Sequence, residues 1–435
     1  MTAFAPEYDC VVLGGGPAGS TAAALVAEAG FSTLLVERQR MPREHIGESL
    51  MPETYWIFER LGVLEKLAAA GYAKKVGVQF VNNTGRESAP FFFRTHDDRP
   101  SSETWHVDRG HFDKLLFDHA GERGADCRDG VRALEILLDG EAACGVRLQA
   151  VDDEGQTETL DVAAKVVIDA TGQSSLLASR LGLRKVNPQL KKAAIWQHFR
   201  GAARDEEGGG VKTIIMHTAD KQAWFWYIPQ ARDVVSVGVV GDRDYLLKGR
   251  GTPAEVFAEE MAKCAGVEER LAEALPIDEV AVAKEFSYTT ERSAGDGWVL
   301  VGDAWGFIDP VYSSGVYFAL KSAELAADCV VDGLRRGDVS GATLGAWLPE
   351  FGSRTNLVRK LVYAFYSGEF RVGKFVMEHP QHHAELVDLL IGRVFDGERG
   401  AIFADLEPWL ERALGGDSPG DEEAAEDGPN VPSVA

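Results

Sequence analysis

The chain has 435 residues, 45% of them hydrophobic and 26% charged, with a formal net charge of −23 at pH 7. That is apolar material for two or three packed domains, and the acidic balance excludes a nucleic-acid partner, which needs clustered Lys and Arg. No apolar run approaches the thickness of a bilayer, and the first residues lack a basic stretch before a small-residue cleavage site, so a cytoplasmic protein without membrane contact is expected. The five cysteines, Cys10, Cys127, Cys144, Cys264 and Cys329, show neither metal spacing nor a paired framework, and are expected to be reduced and mostly buried.

Residues 8–13 form a short apolar strand, residues 14–19 read Gly-Gly-Gly-Pro-Ala-Gly, and residues 20–29 favour helix. Strand, glycine turn and helix in that order make a dinucleotide site: Gly14 permits the tight turn, Gly16 lets backbone approach a pyrophosphate, and Gly19 lets helix and strand pack closely. Pro17 and Ala18 lie inside the turn. A second strand, 32–36, ends at Glu37, about 20 residues on, where a carboxylate accepts from ribose hydroxyls. Lys74 and Lys75 precede an alternating strand of Val76, Val78 and Phe80; strict alternation puts Lys74 on the face of those three and Lys75 on the opposite face with Gly77 and Gln79. Two lysines there are more often a solvated strand entrance than a catalytic pair.

Residues 166–172, Val-Val-Ile-Asp-Ala-Thr-Gly, form another strand ending in a glycine turn and fit the same sheet. Gly208, Gly209 and Gly210 follow an acidic loop instead of a strand, so a separate nicotinamide domain is not expected. Residues 224–229 read Trp-Phe-Trp-Tyr-Ile-Pro: Trp224 and Trp226 share one face of an extended segment, and Pro229 stops the ladder beside them. A buried strand at 299–301 ends in Gly302-Asp303, where a carboxylate can hold a ribityl or ribose hydroxyl. Ser313, Ser314 and Gly315 then open a helix over 316–332, an anion site by the same N–H and dipole logic. Distant segments converging on one ligand favour FAD over NAD. Residues 341–414 are helical in pattern. His379, His382 and His383, interrupted by Pro380 and without Cys or Asp partners, read as a solvated turn, and no metal site is expected. From 415 to 435 the Asp, Glu, Gly, Pro and Ala content predicts a disordered acidic tail.

With these motifs in place, the chain resembles the flavin-dependent halogenases, a branch of the flavin monooxygenases with the p-hydroxybenzoate hydroxylase fold, over residues from about 7 to 335. Trp224, Trp226, Ile228 and Pro229 meet every fixed position of that family's Trp-x-Trp-x-Ile-Pro signature. Residues 47–52, Gly-Glu-Ser-Leu-Met-Pro, resemble the stretch that lies against the flavin, which gives Ser49 a cofactor role. Asp108-Arg109 resembles the segment that covers the cofactor, and Val316 opens the helix beside it. The resemblance implies FAD, used as FADH2 from a separate flavin reductase, and a halide ion held by Ser314 and Gly315. It implies Lys75 as the catalytic lysine that holds hypohalous acid or forms a haloamine, with Trp224, Trp226, Ile228 and Pro229 separating flavin from substrate. Tryptophan halogenases carry Glu two residues before the halide pair; Tyr312 stands there instead, and the Asp309-Pro310-x-x-Ser313-Ser314-Gly315 form resembles the phenol and pyrrole halogenases. An electron-rich phenol or pyrrole, free or tethered to a carrier protein, is therefore the expected substrate, with Tyr312 in its pocket. A flavin-dependent aromatic hydroxylase and a geranylgeranyl-reductase-like flavoprotein are the alternatives.

The fold expected is α/β: a Rossmann-like FAD-binding domain (1–75, 105–185 and 285–335) interleaved with a substrate-side β-sheet domain (76–104 and 186–284), followed by a helical region over 336–414.

Overall fold

The structure is a computed structural model, and it describes residues 4–151, 157–284, 287–368, 370 and 372–415. The tail expected over 415–435 lies, from 416 on, outside the described residues.

Two large sheets face one another across the cofactor region. In the first, strands Trp298–Leu300, Thr157–Asp169, Glu7–Leu13, Thr33–Glu37 and Asp126–Asp129 lie side by side and all pair in parallel. Strand Glu7–Leu13 is central, and Val11, Val12 and Leu13 have no exposed surface, as expected of a strand covered on both faces. Helices Pro17–Glu28 and Ser314–Arg336 pack together against it. The first is small-residue helix, with Ala22, Ala23, Ala24 and Val26 buried, so its neighbours approach closely. The β-hairpin Val131–Asp139 and Ala142–Val151 extends from strand Thr157–Asp169.

The second sheet runs Lys192–Arg200, Val234–Asp242, Ala223–Pro229, Val211–His217 and Ala73–Val81, antiparallel except for the last pair, with the short strand Thr104–His106 on Ala73–Val81. Its two faces serve different cores. Ala223, Phe225 and Tyr227 pack with Val235, Val237, Phe257 and other residues on the outer side, while Trp224, Trp226 and Ile228 join the core shared with the first sheet. This is the period-2 alternation that the sequence implies. The C-terminal helices Leu348–Tyr366, Val372–Glu378, His383–Ile391 and Phe403–Gly415 close the far side. Among the described residues, no helix is long and apolar enough to cross a membrane. Cys10 and Cys264 are buried, Cys127 and Cys329 partly so, and Cys144 is exposed, since strand Ala142–Val151 presents it outward.

Candidate active site

The glycine turn does what its spacing requires. Gly14 has φ +105°, and a Cβ there would sit 2.3 Å from the Ala170 carbonyl oxygen; at Gly19 it would sit 1.8 Å from the Gly14 oxygen. Both glycines therefore serve close backbone packing. At Gly16 only the Arg43 guanidinium comes within reach, at 3.3 Å, so its face stays open to a ligand. The turn borders a cavity of ≈ 350 Å³ lined by Gly14, Gly16, Pro17, Ala18, Glu37, Ser49, Arg109, Asp303, Gly315 and Val316 among others. Gly19 lies beneath it, in the helix. Glu37 accepts from the Gly15 N–H at 2.9 Å and the Gln39 N–H at 3.0 Å, so it pins the turn besides facing the cavity. Arg109 is held by Asp113 (Nε to Oδ1, 2.8 Å) and donates to the Gly47 carbonyl. Burial raises the Asp303 carboxyl to about 6, against the pull of Arg109. An open glycine backbone, carboxylates at two strand ends and a helix N-terminus together fit a dinucleotide.

The tryptophan strand forms the roof. Trp224, Trp226 and Ile228 line the cofactor cavity. Trp226 packs on Gly238 of the neighbouring strand, where a Cβ would fall 2.2 Å from its ring, and its Nε1 donates to Ser236 Oγ at 3.1 Å. Trp224 Nε1 donates to the Tyr366 hydroxyl at 3.0 Å, and that hydroxyl donates to Asp309 Oδ1 at 3.2 Å. Asp309 is buried, and burial raises its carboxyl to about 7.

A second cavity, ≈ 420 Å³, lies beyond this roof and shares Thr213, Ile215, Trp224, Val311 and Ser313 with the first. Lys75 lines it together with Val78 and Phe80. This corrects the alternation expected from sequence: Lys75 pairs with Val211 and Gly77 with Lys212, so Val76 is an extra residue. That bulge shifts the register by one and turns Lys75 to the face of Val78 and Phe80. Lys75 is only 3% exposed, and its amine donates to the Leu50 carbonyl at 2.9 Å. It is no solvated strand entrance. Burial lowers its pKa to about 7. Tyr312 also lines this cavity, packs edge-on to Phe365, and donates to the Leu361 carbonyl at 3.3 Å.

Ser314 and Gly315 are the first residues of helix Ser314–Arg336, where N–H groups have no intrahelical partner. Gly315 lines the cofactor cavity, whereas the Ser314 side chain is buried and lines neither. Ser313, just before them, lines both.

Other participants were not legible in the sequence. The C-terminal helices supply Phe365, Tyr366, Val376, Leu386, Val387 and Ile391 to the second cavity. His106 bonds at 2.8 Å to the side chain of Thr213, which lines both cavities; only their strand parity pointed inward. Glu48 Oε1 meets His198 Nε2 at 2.5 Å, and Asp278 meets Nδ1 at 2.5 Å. Burial opposes charge on that imidazole, but the two carboxylates outweigh it and raise it to about 9. The histidine reading also needs correction: His382 is buried and bonded to Asp405 at 2.7 Å, because helix Phe403–Gly415 folds back to supply the missing carboxylate.

An FAD-binding domain family model matches residues 7–328. The chain is 30% identical to a 1H-pyrrole-2-carbonyl-[peptidyl-carrier protein] chlorinase of Pseudomonas fluorescens, over 90% of this chain and 91% of that protein. It is 31% identical to a 1H-pyrrole-2-carbonyl-[peptidyl-carrier protein] brominase of Pseudoalteromonas luteoviolacea, over 90% and 93% of the two chains. The structure of the flavin-dependent brominase Bmp2 superimposes with a TM-score of 0.82 at 28% identity, covering 94% of this chain and all of that one. The expected fold and the expected FAD cofactor both hold, and the chain belongs to the flavin-dependent halogenases.

Proposed function

We propose that this enzyme halogenates a pyrrole or phenol ring through Lys75, using FADH2 delivered by a separate flavin reductase. The bound flavin, once reduced, supplies with O2 the oxidising power that converts halide to hypohalous acid. The overall reaction balances as Ar–H + X⁻ + H⁺ + FADH2 + O2 → Ar–X + FAD + 2 H2O. The observation that carries the reading is the buried amine of Lys75 in a second cavity that shares five wall residues with the flavin cavity.

Gly14, Gly16, Pro17, Ala18, Gly19, Glu37, Ser49, Arg109, Asp303 and Val316 hold the cofactor in this reading. The backbone N–H groups of Ser314 and Gly315 hold halide at the helix N-terminus. Trp224, Trp226, Ile228 and Pro229 keep the organic ring from the flavin. Lys75 either donates a hydrogen bond to hypohalous acid or, as the free amine, exchanges with it: R–NH2 + HOX → R–NHX + H2O. Transfer to the ring, Ar–H + R–NHX → Ar–X + R–NH2, regenerates the amine. Burial supports the second route, since an amine with its pKa near 7 is half nucleophilic at neutrality.

The second cavity supports an aromatic substrate: Phe80, Phe93, Tyr312, Phe365, Tyr366 and Phe370 are among its walls. The relatives named for pyrrole bound to a carrier protein favour a tethered pyrrole-2-carbonyl group. Reductase, FAD, NADH, O2 and bromide with pyrrole-2-carbonyl carrier protein and with simple phenols test this by mass spectrometry. Brominated product in wild type and none in Lys75→Ala, with flavin oxidation unchanged, is the expected result. Product at wild-type yield in Lys75→Ala would overturn the assignment of the lysine, and oxygenated product without halogen would indicate a hydroxylase.

A further inference from the structure

Ser313 has two unusual features for a residue at the start of a helix. Its φ is +58°, in the left-handed region, and its side chain makes no capping bond to the N–H groups of helix Ser314–Arg336. A serine at that position ordinarily accepts from those groups, and a side chain other than glycine pays for left-handed backbone. Its hydroxyl instead donates to Ser49 Oγ at 3.2 Å. Ser49 Oγ lies 2.9 Å from Thr213 Oγ1, which lies 2.8 Å from His106 Nε2. At the far end His106 Nδ1 lies 2.7 Å from the carbonyl oxygen of Pro229, the last residue of the tryptophan motif.

The direction of every proton in this chain follows from that carbonyl. A carbonyl oxygen only accepts, so Nδ1 carries the hydrogen. His106 has no exposed surface and Lys75 is nearby; burial first, and that positive charge second, hold the imidazole far below its ordinary pKa, at about 3. The ring is therefore neutral, and Nε2 presents a lone pair. Thr213 spends its single proton on Nε2. Ser49 must then donate to Thr213, and Ser313 must donate to Ser49. What remains on Ser313 is lone pairs, at a position that lines both cavities.

We infer that His106, acting through Thr213 and Ser49, fixes Ser313 as an obligatory hydrogen-bond acceptor between the two cavities, so that the passage admits neutral hypohalous acid and turns back halide and hypohalite. Hypohalous acid carries an O–H that can donate to Ser313 Oγ, whereas the two anions meet only lone pairs. Halide is thus retained on the flavin side, at the helix N-terminus that Ser313 leaves uncapped, and the oxidised halogen is the species that crosses. His106, Thr213 and Ser49 are positioning residues in this scheme, which rests on the delivery through Lys75 proposed above.

Thr213→Val and Thr213→Ser test the polarity of the chain. Valine keeps the volume but removes the relay, so Ser49 and Ser313 are free to reorient and donate; serine keeps it. The reduced, FAD-loaded enzyme is mixed with O2 and bromide in a single turnover. Oxidising equivalents held on the protein after rapid gel filtration are titrated with thionitrobenzoate, and those escaping to solvent are trapped by monochlorodimedone. Thr213→Val should lower the held-to-escaped ratio about tenfold, the effect of about one hydrogen bond, with both quantities counted per flavin oxidised. Thr213→Ser should restore it, and the imidazole ¹⁵N spectrum of His106 should show an Nδ1-protonated neutral ring in wild type. A Thr213→Val ratio equal to wild type, an equal loss in both variants, or an Nε2-protonated ring would each overturn the inference. Failure of the lysine assignment would appear separately: Lys75→Ala would keep its held equivalents while the two Thr213 variants still differed.

Discussion

One side chain, Lys75, should contribute stability that grows with pH between about pH 7 and 10.5. Burial lowers the Lys75 ammonium from 10.5 to about 7, and at about 1.4 kcal/mol per pH unit the interior disfavours the charged form by about 5 kcal/mol. The unfolded chain keeps its proton up to pH 10.5 while the folded chain releases it near 7. The Lys75 contribution to stability therefore rises with pH across that window, with most of the cost, about 4 kcal/mol, still present at pH 7. Lys75→Met removes the cost but leaves the Leu50 carbonyl without its donor, a penalty of about 1–3 kcal/mol. The variant should be about 2 kcal/mol more stable than wild type at pH 7, with that advantage gone by pH 10. Urea unfolding at a series of pH values reads both quantities. The same protonation governs delivery by the free amine: halogenated product per flavin oxidised should rise through pH 7 and level off above it. A Lys75→Met protein with the wild-type pH slope and no gain at pH 7, or a product yield that climbs only near pH 10, would refute the buried-amine argument.

The imidazole of His198 should act in the opposite sense: its pKa in the fold is raised from 6.5 to about 9 by Glu48 and Asp278 against the cost of burial, so it contributes stability in full below pH 6.5 and loses it as pH rises through 9, by at most about 3 kcal/mol. His198→Gln should abolish that component in the same unfolding series. Gly238→Ala places a methyl inside the Trp226 ring; it should cost about 1–3 kcal/mol by overpacking and lower product per flavin oxidised, as measured by thermal unfolding and single-turnover yield. Arg393 is 5% exposed and pairs with Glu53 at 3.2 Å and Asp388 at 3.1 Å, which ties the C-terminal helices to the segment after Ser49. Arg393→Met should destabilise by about 3–5 kcal/mol through the buried Glu53 carboxylate left without its partner, Asp388 keeping His96 and Arg399, read as a lowered Tm.

The cofactor half of the site was legible because its logic is local. Gly14, Gly16 and Gly19 are fixed by a turn of six residues, and the Glu37 carboxylate sits one strand away, so their spacing alone carries the geometry. Trp224 and Trp226 were likewise placed on one face by alternation. Lys75 shows where alternation stops: the extra residue Val76 exists only because strand Val211–His217 pairs beside it with a one-residue shift, and nothing in residues 73–81 announces it. Gly238 beneath Trp226, Asp405 against His382, and Tyr366 between Trp224 and Asp309 are contacts across many residues of chain. Helical periodicity over 341–414 shows which residues turn inward, but not that they would wall a substrate cavity. Ser313 lay in plain view, yet its significance depends on hydroxyls from two other segments.

Oxidised halogen should pass from the flavin cavity to Lys75 without leaving the protein. Competition by a bulk scavenger tests it most directly: reduced, FAD-loaded enzyme is mixed with O2, bromide and aromatic acceptor, with monochlorodimedone at increasing concentration. Product yield that stays constant while the scavenger remains unbrominated is the predicted result. Yield that falls in proportion to scavenger, with bromination appearing there instead, would contradict the account.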